Sequence, residues 1–133
     1  MFLLLLLGIV ISASCTTKTP EASHLARAEY HKLTAEEAKA RIDSGDSVLV
    51  VDVRTQEEFN AKHIPGAVLI PNETITDAQP ELLPDLDVEI LIYCRSGNRS
   101  AQAASKLAQL GYTKVYDFGG INNWPYDTVA VSE

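Results

Sequence analysis

The chain has 133 residues, 46% hydrophobic and 22% charged, a size and balance typical of one soluble domain of about 100–120 residues. With 11 Lys and Arg against 18 Asp and Glu, the formal net charge is −7. An acidic surface argues against nucleic acid or an anionic membrane as the main partner. The histidines, at positions 24, 31 and 63, lack the spacing of a metal site.

The first 14 residues contain no charged side chain, and residues 2–11 form an apolar run. A run this short cannot span a membrane and is typical of the apolar core of a secretory signal. We therefore predict that residues 1–14 are a signal peptide and that the protein is exported. A short buried N-terminal helix is the alternative, which the polar segment after Cys15 disfavours.

Small residues precede Cys15, a pattern that resembles the lipobox of bacterial lipoproteins. The resemblance implies that Cys15 is the lipid attachment site and that a lipid anchor holds the protein at a bacterial membrane, facing the periplasm. Residues 15–28 are polar and aperiodic, which predicts a tether. Ser12 stands where an aliphatic residue is usual, so cleavage by an ordinary signal peptidase, releasing a soluble protein, stays open.

Strand and helix patterns alternate from residue 29 to residue 126, which predicts one domain over that range. Aliphatic and β-branched runs predict buried strands at residues 48–53, 67–70, 88–93 and 114–118, with an edge strand at 30–33. Capping residues and apolar periodicity predict helices at residues 34–44, 55–62 and 100–110, with short helices within 72–87 and after 119. Such alternation is typical of a parallel α/β sheet covered by helices on both faces. Residues 127–133 are predicted to form an irregular tail.

A lone cysteine, Cys94, follows the strand at 88–93 and precedes the helix at 100–110. A thiol in this position faces the free N–H groups and the positive dipole end of a helix, which stabilise a thiolate. Parallel sheets also bind ligands at this edge. We therefore predict that Cys94 is reactive and ionised, with a small buried strand-end residue as the structural alternative.

Five motifs in order resemble those of a single-domain rhodanese over residues 29–126. They are Asp52-Val53-Arg54, Glu58-Phe59, residues 63–67, residues 94–100, and Gly119-Gly120-Ile121 with Trp124. The resemblance implies a rhodanese-like α/β fold with a five-stranded parallel sheet between helices. It also implies sulfurtransferase chemistry, in which Cys94 takes the outer sulfur of thiosulfate or a similar small anion as a persulfide and passes it to cyanide or a thiol. No cofactor beyond that transient persulfide is expected, and we expect a monomer.

The loop after the cysteine carries the residues that this chemistry needs. We predict that the substrate is bound by Arg95, Ser96, Gly97, Asn98, Arg99 and Ser100. Sulfite leaves as a dianion, so positive charge from Arg95 and Arg99 would assist; Arg99 aimed at a carboxylate is the alternative. Gly97 permits a positive φ that turns successive N–H groups towards the sulfur.

Four further polar residues are predicted to support the loop rather than to react: Asp52, Arg54, Glu58 and His63. Arg54 and Glu58 are spaced to pair across the start of a helix, and Asp52 can accept N–H bonds from neighbouring loops. His63 is expected to tie a loop to the strand ends. Trp124 is expected to be a pocket wall or a core residue.

Three other functions stay open. A cysteine phosphatase or arsenate reductase also holds a thiolate in an anion cradle, but tyrosine phosphatases have Arg where this chain has Ser100, and the rhodanese-like phosphatases have a longer loop. A non-catalytic or sulfur-carrier binding module is the second, and the presence of Cys94 favours activity. A redox role for Cys94 is the third, although the predicted domain holds no second cysteine to resolve an oxidised thiol.

Overall fold

The structure is a computed structural model that describes residues 29–132. Within this range one sheet contains β1 (His31–Lys32), β2 (Val48–Asp52), β3 (Val68–Leu69), β4 (Glu89–Cys94) and β5 (Lys114–Gly120). The α-helices are α1 (Ala35–Asp43), α2 (Gln56–Ala61) and α3 (Asn98–Gln109), and short 3₁₀ helices cover Asn72–Thr74 and Ile121–Asn123. The predicted signal peptide, the tether and Cys15 lie outside the described residues.

The sheet order is β1-β5-β4-β2-β3, and all its strand pairs are parallel. The predicted five-stranded parallel sheet is therefore confirmed. β4 lies at the centre, between β5 and β2. A central strand with helices on both faces has no solvent-facing side, which explains why the sequence of β4 is almost continuously apolar.

β4 sends alternate side chains into two separate cores. Ile90, Ile92 and Cys94 face the core that contains residues of α3, whereas Leu91 and Tyr93 face the core that contains Ala38 of α1. None of these five β4 residues is more than 1% exposed. Burying one such aliphatic side chain stabilises the fold by about 1.5–3 kcal/mol. Packing on both faces therefore fixes the strand end at which Cys94 lies.

Both predicted helix starts carry a full capping box. The Thr34 hydroxyl accepts from the Glu37 N–H, and the Glu37 carboxylate accepts from the Thr34 N–H; Thr55 and Glu58 repeat this arrangement at α2. A cap of this kind contributes about 1 kcal/mol. The boxes fix where the chain turns from loop to helix, so α1 and α2 begin where the sequence predicts.

Four parts of the chain differ from the prediction. β5 extends to Gly120 rather than ending at residue 118. β3 is a half-buried strand of two residues rather than a buried strand over 67–70, because it lies at the sheet edge with β2 as its neighbour. α3 begins at Asn98 rather than at residue 100, since Gly97 has φ +106° and turns the chain directly into the helix. The tail is fixed at two points: His63 and Val129 exchange backbone hydrogen bonds of 2.8 and 2.9 Å, and the Val131 N–H donates to the Asn60 carbonyl oxygen at 3.0 Å.

Candidate active site

Cys94 is the last residue of β4, and the loop that follows it leads directly into α3. The sheet order places this strand end between β5 and β2, at the edge where parallel sheets bind ligands. Cys94 is 1% exposed and is free of any disulfide. The sulfur is therefore buried beneath its own loop.

The Cys94 sulfur lies among hydrogen-bond donors of that loop. The Gly97 N–H is directed at Sγ with an N–Sγ distance of 3.0 Å, and Ser100 Oγ lies 3.5 Å from Sγ. Ser100 is fully buried, and its Oγ is also 3.0 Å from the Gly97 carbonyl oxygen and 3.4 Å from that of Gly119. A hydroxyl has one proton, so Ser100 can donate to a carbonyl while Cys94 is a thiol and to Sγ when Cys94 is a thiolate.

Burial raises the pKa of Cys94, but hydrogen bonds to the charged form outweigh that effect. The donors are the Ser100 hydroxyl and the backbone N–H groups of Ser100, Gly97 and Ser96. The pKa of this thiol therefore lies below its ordinary value. Within residues 29–132 no histidine or carboxylate hydrogen-bonds to Sγ, so fixed dipoles rather than a neighbouring base favour the thiolate.

The two loop arginines differ in their surroundings. Arg99 forms a two-point ion pair with Glu58, which is the alternative arrangement that the sequence left open. Arg95 is exposed, and its side chain makes no hydrogen bond or ion pair with any residue from 29 to 132. Arg95 therefore carries the uncompensated charge of the loop, and substrate binding by Arg99 stays a prediction.

Arg54 pairs with Asp52, so the predicted Arg54–Glu58 pair is wrong. Arg54 Nη2 lies 2.7 Å from Asp52 Oδ2, and the Arg54 N–H donates to Oδ1 of the same carboxylate at 2.9 Å. The short spacing at the end of β2 brings these two together, while Glu58 is held by Arg99 and by its own capping box. Arg54 Nη2 also donates to the Lys62 carbonyl oxygen at 2.6 Å, which ties β2 to the end of α2.

Tyr93 extends this buried network to the residue before the cysteine. Its hydroxyl accepts from the Ile64 N–H at 3.1 Å, and the Arg54 guanidinium lies 5.6 Å from its ring centroid. Burial and the nearby Asp52 carboxylate raise the pKa of Tyr93 well above its ordinary value, so the phenol stays neutral. The network holds the backbone from which Cys94 projects. From the sequence pattern, Tyr93 is predicted only as a strand residue.

His63 lies at the end of α2 and not at the strand ends. Its Nδ1 is 2.8 Å from the Phe59 carbonyl oxygen, and the two rings stack with centroids 3.8 Å apart. Its backbone pairs with Val129. His63 therefore joins α2 to the C-terminal tail.

The remaining predicted loop residues divide into buried and exposed groups. The Ser100 side chain touches the sulfur, whereas the Ser96 and Asn98 side chains are exposed and make no hydrogen bond within the described range. Ser96 contributes through its backbone N–H. Trp124 is a buried core residue whose ring centroid lies 5.5 Å from that of Phe118.

Gly120 is a site residue whose role the sequence analysis missed. A Cβ atom at this position would lie 2.2 Å from the Arg95 carbonyl oxygen and 2.7 Å from Ser96 Cα. The Asn122 N–H also donates to the Arg95 carbonyl oxygen at 3.2 Å. The end of β5 therefore packs directly against the backbone of the Cys94 loop at Arg95 and Ser96. Paired glycines at a strand end are a signal of such close approach.

Residues 29–132 contain no group of three or more His, Cys, Asp or Glu side chains placed to hold a metal ion. The same part of the chain has no helix that is both long and apolar enough to cross a membrane. An open hollow of about 450 Å³ lies beside Lys106 and Leu110, near the C-terminal end of α3. Cys94 faces the opposite end of that helix.

Residues 34–126 match the family model described as a rhodanese-like domain. This chain belongs to the rhodanese-like family. A sulfurtransferase of Allochromatium vinosum is 39% identical over 95 residues, which are 71% of this chain and 87% of that protein. The thiosulfate sulfurtransferase GlpE of Pseudomonas syringae is 35% identical over 106 residues, covering 76% of this chain and 96% of the relative.

Two further similarities bear on fold and function. The putative sulfur carrier protein YrkF of Bacillus subtilis is 36% identical over 94 residues, which are 70% of this chain and 50% of that protein. A rhodanese-like domain protein from Staphylococcus aureus matches in structure with a TM-score of 0.67 at 32% identity, covering 77% of this chain and 99% of that one. The comparisons support rhodanese-type sulfur transfer.

Proposed function

We infer that this protein moves sulfane sulfur from thiosulfate or a similar anionic donor, through a persulfide on Cys94, to cyanide or a thiol. One observation carries this proposal. Cys94, with a pKa lowered by the Ser100 hydroxyl and by loop N–H groups, lies next to Arg95, a cation without an acidic partner in the described chain. The pairing of a stabilised thiolate with a free cation suits attack on a small dianion.

In the first half-reaction the Cys94 thiolate attacks the outer sulfur of thiosulfate. A bond forms between Sγ and that sulfur, the sulfur–sulfur bond of thiosulfate breaks, and sulfite leaves with the bonding electrons. The loop N–H groups that stabilise the thiolate are placed to stabilise the persulfide anion as well. Arg95 assists by attracting the donor and offsetting the charge on the departing sulfite.

In the second half-reaction cyanide or a thiolate attacks the outer sulfur of the persulfide. The persulfide bond breaks, thiocyanate or a new persulfide leaves, and Cys94 returns as a thiolate. Charge and atoms balance in both steps, so neither an external oxidant nor a cofactor is needed. Since no proton must move before attack, the mechanism also needs no general base.

The direct test is to give the purified mature protein thiosulfate and measure sulfite and intact mass. We expect sulfite release and a mass increase of one sulfur atom, located on Cys94 and absent from Cys94→Ser. Cyanide should then remove the sulfur as thiocyanate and restore the original mass. A protein that gains no sulfur from thiosulfate and forms no thiocyanate contradicts the proposal.

A sulfur-carrier role is the second candidate, favoured by the similarity to the putative carrier protein of Bacillus subtilis. A carrier would become loaded with one sulfur but would release it only to a specific protein. Multiple turnovers with thiosulfate and cyanide favour the enzyme, whereas loading without turnover favours the carrier.

The proposal extends to export with lipid attachment at Cys15. It rests on the apolar, uncharged segment 2–11 and on the small residues before Cys15. Labelled palmitate should enter the wild-type protein and should not enter Cys15→Ala. Equal labelling of both, or labelling of neither, contradicts lipid attachment at this residue. Fractionation of the cells then reports whether the protein is exported.

A further inference from the structure

A cleft of about 250 Å³ opens beside the Cys94 loop, with Arg95 among its lining residues. Part of its lining comes from α2 and the residue after that helix, with Glu58 and Lys62, and part comes from Arg95 and Asn122. At about 30 Å³ per water the cleft holds roughly eight waters. A small oxyanion bound on the loop N–H groups leaves most of that space for another molecule.

Positive charge dominates the cleft, although the whole chain has a net charge of −7. Arg54 and Glu58 line it too, but each has its own partner, Asp52 and Arg99 respectively. Lys62 and Arg95 are both exposed, and neither side chain has an ion-pair partner between residues 29 and 132. Two free cations that line the same cleft select an anionic ligand.

The backbone positions of both cations are fixed. The Lys62 carbonyl oxygen accepts from Arg54 Nη2 at 2.6 Å, and the Lys62 N–H donates to the Glu58 carbonyl oxygen at 3.1 Å. The Arg95 carbonyl oxygen accepts from the Asn122 N–H at 3.2 Å. The lining is thus tied to the buried network of β2 and to the end of β5. A cleft with fixed walls binds with less loss of conformational entropy than a mobile one.

We propose that this cleft, between Lys62 and Arg95, binds the acceptor and selects small thiols that carry carboxylates. The inference rests on the proposed persulfide on Cys94. The acceptor carboxylate lies between the two cations while its thiolate attacks the outer sulfur of the persulfide. The persulfide bond breaks, a new sulfur–sulfur bond forms on the acceptor, and Cys94 leaves as the thiolate.

The test compares two acceptors, reduced glutathione and its diethyl ester, which have the same thiol but differ in their carboxylates. The protein is first loaded with thiosulfate, and kcat/KM is then measured for each acceptor. Reversing one charge in the cleft with Lys62→Glu should lower the ratio of glutathione to ester about tenfold, the effect expected for losing one attraction and adding one repulsion. Lys114→Glu, which makes the same charge change on an exposed residue at the start of β5, should leave the ratio unchanged.

A ratio that Lys62→Glu does not change, or that Lys114→Glu changes equally, overturns the inference. Binding of S-methylglutathione to the unloaded protein, followed by NMR, gives a readout that needs no turnover. It should shift the amide signals of residues 62 and 95, and Lys62→Glu should weaken it; no binding overturns the inference. Failure of the proposed function has a different signature, since the protein would then gain no sulfur from thiosulfate whatever the state of the cleft.

Discussion

Glu58 and Arg99 form a two-point ion pair, with Nη1–Oε2 and Nη2–Oε1 distances of 2.8 and 2.9 Å. The pair joins the first turn of α2 to the first turn of α3, the helix that follows the Cys94 loop. Glu58 also closes the capping box with Thr55. One carboxylate therefore begins one helix and fixes the start of the other.

Replacing Glu58 by Gln should lower the free energy of unfolding by about 1 kcal/mol, because the pair is partly screened by solvent. The two side chains are 26% and 27% exposed. Urea denaturation at neutral pH measures the effect. Glu57→Gln is the matched control, since Glu57 is an exposed neighbour in the same helical turn without an ion-pair partner in the described chain. Equal losses in both variants would show that the pair itself contributes nothing.

The same pair predicts a pH dependence. The Arg99 guanidinium lowers the pKa of Glu58 to about 2, whereas an unfolded chain has a Glu pKa of about 4.3. Because the pKa of Glu58 is lower in the folded protein than in the unfolded chain, its ionisation stabilises the fold at any pH above the unfolded-state pKa. This stabilisation is lost as the pH falls towards the folded-state pKa. The difference in stability between wild type and Glu58→Gln should therefore shrink between about pH 5 and pH 2. A difference that is constant across this window would refute the assignment.

Replacing Ser100 by Ala should raise the pKa of the Cys94 thiol, because the hydroxyl that donates to the thiolate is removed. The measurement is a pH titration of the thiolate ultraviolet absorbance, which does not require a reagent to reach the buried sulfur. Persulfide formation at neutral pH should slow by the same factor as the thiolate fraction. Ser105→Ala, later on the same helix, is the control and should leave the titration unchanged. An unaltered pKa in Ser100→Ala would remove its role.

Gly120→Ala should abolish sulfur transfer and destabilise the fold by about 2–3 kcal/mol, an overpacking effect at the upper end of the usual range. The new Cβ meets the Arg95 backbone, which cannot move aside as a flexible side chain can. Gly120 itself has φ −115° and ψ 146°, so the constraint is space and not backbone conformation. Gly45→Ala is the control: it is strained by φ +77° but meets no atom within 4 Å. Activity per folded molecule should survive in Gly45→Ala; retention in Gly120→Ala as well would contradict the role of Gly120.

Arg95→Ala should raise the KM for thiosulfate about tenfold, the effect of losing one charge-assisted contact of about 1.4 kcal/mol. Its unfolding free energy should stay close to wild type, because the exposed side chain has no ion-pair partner in residues 29–132. Arg99→Ala should instead lower the free energy of unfolding more than Arg95→Ala does and raise the KM for thiosulfate less, since it breaks the pair with Glu58. Initial-rate kinetics and urea denaturation of both variants provide the comparison. An unchanged KM in Arg95→Ala would exclude it from donor binding.

The fold was predicted well because apolar runs and capping boxes each depend only on residues that are neighbours in the sequence. The runs that became β2 and β4 are mostly apolar, and the capping boxes at Thr34 and Thr55 need only four consecutive residues. The length and burial of β3 were overestimated, because a short aliphatic run has the same sequence pattern in an edge strand as in a central strand. The number of neighbours is set by the sheet order, which no local pattern contains.

The site was predicted in its parts but not in its pairings. The Cys94 loop follows from a strand, a glycine and a helix in succession. Arg54 takes the carboxylate two residues before it, Asp52, and this leaves Glu58 to Arg99, a pairing that depends on distances across the fold. Gly120 is the same kind of case, since the carbonyl oxygen that excludes a side chain there belongs to a distant loop residue.

The burial of Cys94, with 1% of its surface exposed, separates charge from access. The loop N–H groups lower the pKa of the Cys94 thiol, while the same loop closes over the sulfur. A folded protein bearing a bulky disulfide cannot bring its sulfur atoms into line with a sulfur as deeply buried as this one. The unloaded protein is therefore protected from capture in mixed disulfides even though the pKa of its thiol is lowered. A lowered pKa usually makes a cysteine both more nucleophilic and easier to trap in a mixed disulfide, but here the loop that covers Cys94 separates these two properties.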